Sequence, residues 1–104
     1  MFKIVPNPTF WAPVALTAKG EPAPVMVDVE FKHLERDALQ DFFDRCHGGL
    51  RAKDALQEVV VNWRGFDEAY SADALDRLLK NNVPSAQEIF SAYRRESVES
   101  RVKN

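Results

Sequence analysis

The sequence predicts an α+β fold, a short N-terminal antiparallel β-hairpin or small sheet followed by about four α-helices. In "VMVDVEFK", Val25, Val27, Val29 and Phe31 alternate with Met26, Asp28, Glu30 and Lys32. That period of two marks a strand with one buried and one wet face. After Phe31 the period changes: Leu39, Phe42, Phe43 and Cys46 fall at i, i+3, i+4 and i+7, one face of a helix.

Taken in order, "FKIV" at residues 2–5 is a candidate third strand, set apart by Pro6 and Pro8. "TFWAPVALTA" reads as extended, with Phe10, Ala12, Val14 and Leu16 on one side; Pro13 has no amide proton and suits an edge strand. Gly20 and Pro22 supply the turn into the strand at 25–32. The first helix spans about 35–46, and Gly48 with Gly49 can end it in a left-handed conformation.

From Ala52 onward, Ala55, Leu56, Val59, Val60 and Trp63 keep the helical period, which outvotes the strand propensity of Val59, Val60 and Val61. Trp63 is therefore expected at the end of a second helix, buried as a core plug, with Gly65 releasing the chain. Ser71 caps a third helix, Asp73 lies in its first turn, and Tyr70 is spaced to pack on Leu75. Leu75, Leu78 and Leu79 form the buried edge of that helix. The last helix begins either at Ser85, with Glu88 at capping-box spacing, or one residue earlier with Pro84 as its first residue and Val83 as cap. Ala86, Ile89, Phe90 and Tyr93 make its apolar side, and residues 100–104 are expected to fray. The organisation expected is one domain over 1–104, a strand region at about 1–32 and a helical region at about 33–99.

Composition narrows the function. Residues are 45% hydrophobic and 29% charged, which suits a globular chain. Sixteen acids against fourteen bases leave a formal charge of -2, so no global positive field draws the protein to phosphate backbones. Cys46 is the lone cysteine and cannot form an internal disulfide. The N-terminal stretch lacks the apolar core of a signal peptide, and no apolar run reaches the roughly 20 residues of a membrane span. The expected compartment is the cytoplasm, with no membrane partner.

Candidate chemistry is sparse. Cys46, His47 and His33 are the only thiol and imidazoles, too few and too irregularly spaced for a structural or catalytic zinc site. Adjacent residues on a helix diverge by about 100°, so Cys46 and His47 do not form a nucleophile and base. Asp37, Asp41 and Asp44 follow helical spacing, but Arg36 and Arg45 beside them describe a solvated face with an Asp41–Arg45 pair. No phosphate loop, nucleophile elbow or dinucleotide fingerprint is present. The expectation is a protein without catalytic residues, metal or cofactor. Arg94, Arg95, Arg101 and Lys103 make the C-terminus mildly basic, yet Glu96 and Glu99 interrupt it, leaving nucleic-acid binding a minor alternative. Trp11, Tyr70, Phe90 and Tyr93 are large groups on short elements and are the candidate partner contacts.

Trp63-x-Gly65-Phe66, an acidic residue, Ser71 ahead of Leu75 and the Leu78–Leu79 pair, then Pro84 and "IFSAY", resemble the C-terminal half of phage tail assembly chaperones of long-tailed phages and prophages. The resemblance implies a small non-catalytic protein of the host cytoplasm. It implies binding of the helical, aggregation-prone tape measure protein until tail tube protein displaces the chaperone. Trp63, Gly65, Phe66, Ser71, Leu75, Leu78, Leu79 and Pro84 then act mainly as determinants of the fold. The alternatives are a minor structural tail component and a small nucleic-acid-binding phage regulator.

Overall fold

The computed structural model describes residues 1–99; the tail expected to fray, with Arg101 and Lys103, lies outside the described residues. In chain order the elements are β1 (Thr9–Leu16), β2 (Val25–Lys32), α1 (Arg36–His47), α2 (Ala52–Val59), β3 (Val60–Arg64), α3 (Ala72–Asn81) and α4 (Ser85–Ser97). The strands form one antiparallel sheet in the order β1-β2-β3. α4 packs on β1, and α2 packs on both α3 and α4.

Alternation along β1 and β2 follows the sequence except at Val25, which was expected on the buried face but is 45% exposed at the open start of β2. Ala12, Val14 and Leu16 join Val27, Val29 and Phe31 on the buried face, while Trp11, Pro13, Met26 and Asp28 point away. Pro13 lies on an edge strand, as its missing amide proton requires, and its carbonyl accepts from an Arg95 guanidinium nitrogen of α4 at 3.3 Å. An additional strand could not pair continuously along that edge.

Two expectations about strands are corrected. Residues 2–5 form no strand, and Phe2 and Ile4 are solvent-exposed. Pro6 and Pro8 remove the amide protons that would have anchored a ladder there. The third strand is β3, from a stretch expected to continue the second helix. α2 ends at Val59, and Val60 is already extended, at φ -89° and ψ 129°. The register between β2 and β3 shifts at Glu30/Phe31, so that Val60 faces Phe31 while Asn62 faces Glu30. This irregularity turns both Val60 and Trp63, three positions apart, into the core. A spacing of three mimics a helical stripe, which is why the period alone misleads. Pairing also gives the second edge of β2 backbone partners that a helix could not provide.

Among the helix starts only that of α3 carries a side-chain cap bond. α1 closes through Gly48, and Gly49 takes φ +110°, the left-handed conformation expected at this pair. Ser71 Oγ accepts from Ala74 N at 3.0 Å to start α3. At α4 the N-cap is Pro84, without a side-chain cap bond, so neither expected cap holds: the Ser85–Glu88 capping box does not form, and Val83 is not the cap. Ser85 Oγ instead donates to Asn82 O at 2.6 Å. Glu88 reaches across to Thr17, just past the end of β1, where its carboxylate accepts from Thr17 N at 3.0 and 3.2 Å and from Thr17 Oγ1 at 2.5 Å. A carboxylate claimed by a distant amide is no longer available to its own helix. Replacement by alanine, Glu88→Ala, is expected to lower unfolding free energy by about 0.5–1.5 kcal/mol in urea titrations, because α4 then loses its charged tie to the end of β1.

The centre of the core is aromatic. Tyr93 lies 5.0 Å from Phe31 and 5.8 Å from Phe42 between ring centroids, the second contact edge-on at 85°. Its hydroxyl donates to Lys32 O at 3.1 Å, joining α4 to the end of β2.

Candidate functional site

The residues that carry the resemblance gather around the turn after β3. Trp63 is 7% exposed, and its indole Nε1 donates to Glu68 O at 2.9 Å. Phe66 stacks on it at 4.0 Å between centroids, and Tyr70 meets it edge-on at 5.1 Å. Gly65 permits the turn through φ +94°, a conformation that side-chain-bearing residues rarely take; a Cβ there would also press on Val27 at 3.4 Å. Leu75 is fully buried, and Leu78 and Leu79 are partly buried against the same core. Pro84 remains exposed at the start of α4. Trp63 is thus a core plug, although it sits on a strand and not on the helix expected.

The four aromatic candidates for partner contact do not converge. Tyr93 has no exposed surface and is removed from the set: four aromatic neighbours, Phe10, Phe31, Phe42 and Phe43, and the bond to Lys32 hold it in the interior. Burial pushes its phenol up to about 12. Tyr70 is partly buried and its hydroxyl donates to Val60 O at 3.1 Å, so it secures the turn to β3. Phe90 is half-buried, meets Phe43 edge-on at 5.8 Å, and lines an apolar pocket of about 340 Å³ with Cys46, Leu50, Val83 and Ala86. Trp11 is on the opposite, uncovered face of the sheet; it is 37% exposed, with the Arg64 guanidinium 3.8 Å from its ring centroid.

A larger concavity lies at the N-terminal segment. The N-terminal segment, the start of α1 and the end of α4 enclose an open groove of about 870 Å³. Leu34, Leu39 and Phe43 form its apolar side, and Ile4 and Val5 stand at its lip, 89% and 74% exposed. His33 N donates to Pro8 O at 2.8 Å, which fixes the N-terminal segment beside it. Its sequence signal is "FKIV", an apolar run next to two prolines that also suits a strand.

The polar side chains away from the groove are mostly paired. Arg45 bridges α1 to α2 by contacting Asp41 at 3.0 Å and Glu58 at 2.7 Å. The bonds from Arg45 hold the Glu58 carboxyl below the usual range and raise the guanidinium further. Desolvation raises the Cys46 thiol, which reduces its thiolate fraction. Among the described residues no group of three or more His, Cys, Asp or Glu is placed to hold a metal ion. No helix among them is long and apolar enough to cross a membrane.

No curated protein and no solved structure matches the chain. A family model described as phage tail assembly chaperone matches residues 1–104, the whole length, in agreement with the resemblance around Trp63. The chain belongs to the phage tail assembly chaperone family.

Proposed function

We propose that this protein binds the tape measure protein of its phage in the host cytoplasm, keeps it soluble while the tail is built, and releases it when tail tube protein assembles around it. The role is non-catalytic. Family membership over the full chain supports a part in tail assembly. The single structural observation that favours binding of a helical apolar partner is the groove of about 870 Å³ with Ile4 and Val5 exposed at its lip. Exposed aliphatic groups beside a concave apolar surface suit an amphipathic helix that buries residues at i, i+3, i+4 and i+7.

Co-expression with the tape measure protein of the same phage tests the reading. The expected result is transfer of that partner from the insoluble to the soluble fraction and its co-purification with this chain. A tape measure protein that stays insoluble beside folded chaperone would reject it. Recovery of the chain in purified virions would point instead to a structural component of the tail.

A further inference from the structure

The uncovered sheet face at Trp11 and the pocket at Phe90 present apolar surface, but nothing about either selects an occupant. The groove at the N-terminal segment differs, because it combines apolar and charged features. Its apolar side, Leu34, Leu39 and Phe43, is bordered by Arg36 in the first turn of α1 and Arg94 in the last part of α4. Glu35 is the one acid among the lining residues. Arg45, Arg51, Arg77 and Arg95 each have a carboxylate within salt-bridge distance; among the described residues Arg36 and Arg94 do not, nor does Arg64, which lies over Trp11 on the far sheet face. The Arg94 guanidinium is held 5.4 Å from the Phe43 ring centroid, at the edge of the apolar surface. On a chain of formal charge -2 this is a local positive rim around an apolar floor.

We propose that the groove docks an amphipathic helix of the chaperoned protein whose apolar stripe is flanked by Glu or Asp, a proposal that rests on the helical-partner reading above. The apolar stripe covers Leu34, Leu39 and Phe43 and supplies affinity by removing that surface from water. Carboxylates beside the stripe meet Arg36 and Arg94, which sets orientation and excludes helices flanked by lysine. Ile4 and Val5 extend the apolar contact at the lip.

Fluorescence anisotropy with two labelled peptides of about five helical turns tests this. Both carry the same leucine stripe; one is flanked by glutamates and the other by lysines. The full chain is expected to bind the glutamate peptide at least about tenfold more tightly, with the preference shrinking as salt rises from about 0.05 to 0.5 M. Arg36→Glu should abolish the preference, while Arg51→Glu, outside the groove, should retain it. Arg36 is exposed, so its reversal leaves the core intact; a circular dichroism melt matching wild type verifies this. Equal binding of the two peptides, or an R36E variant that binds like wild type, would overturn the proposal. Self-association that R36E abolishes would assign the groove to a second copy and overturn it as well. Selection of the glutamate peptide while the tape measure protein stays insoluble in co-expression would uphold the groove and reject that partner. A solubilised tape measure protein whose binding ignores R36E would reject the groove and leave the chaperone role standing.

Discussion

Truncation of Tyr93 to alanine is expected to remove about 3–5 kcal/mol of unfolding free energy, the range for loss of a large aromatic from a packed core. The ring has no exposed surface and touches the sheet through Phe31 and α1 through Phe42, so its loss leaves a cavity that three elements border. Urea titration followed by far-ultraviolet circular dichroism measures the change. Tyr93→Phe should cost much less, about 0.5–1.5 kcal/mol, since it keeps the ring and loses only the bond to Lys32 O. The two variants together separate ring packing from the hydroxyl.

The same phenol sets an alkaline limit. Its folded value is raised to about 12, chiefly by desolvation, against about 10 for an exposed tyrosine. Ionisation therefore favours the unfolded chain. The stability contributed is fully present below about pH 10 and is lost as pH rises through about 12. Stability measured from pH 9 to pH 12 should consequently fall more steeply for wild type than for Tyr93→Phe, which has no proton to lose. Parallel curves for the two proteins would show that Tyr93 does not titrate as its burial demands.

Trp63→Ala should be the other severe loss, about 3–5 kcal/mol, because the indole is the contact on which Phe66 and Tyr70 assemble the turn after β3. Trp63→Phe preserves an aromatic surface but leaves Glu68 O without the indole donor, and should cost about 1–2 kcal/mol. Trp11→Ala should stay within about 0.5 kcal/mol, since that ring lies on the open sheet face and its main partner is the exposed Arg64. Thermal melts of the three variants provide the comparison. Similar losses at Trp11 and Trp63 would mean that the outer face contributes to stability as much as the core does, contrary to the burial of the two rings.

Alternation in Val27–Phe31, the edge position of Pro13, the Ser71 cap and the glycine exit after α1 are all legible in the sequence. Each depends on geometry inside one strand or one helical turn, which neighbouring residues encode directly. The family resemblance was legible for a related reason: Trp63, Gly65, Phe66 and Ser71 lie close together in the chain and build one local turn. The candidate contacts were less legible, because the same residue types serve a core and an interface. Tyr93 and Phe90 share one helix face, yet Tyr93 meets β2 and is sealed while Phe90 stays half-open.

What the sequence by itself determined was therefore the class of fold, the bounds of β2 and α1 to within a residue, and the family. Only the tertiary structure decided that Val60–Arg64 is a strand, that Glu88 serves Thr17 and not its own helix, and that a groove opens beside Ile4 and Val5. Those outcomes depend on partners far away in sequence: β2 offers β3 an unpaired edge, Thr17 is 71 positions from Glu88, and the groove joins both ends of the described chain. A local period cannot register such contacts, since backbone pairing and burial are satisfied by whichever segments the fold brings together.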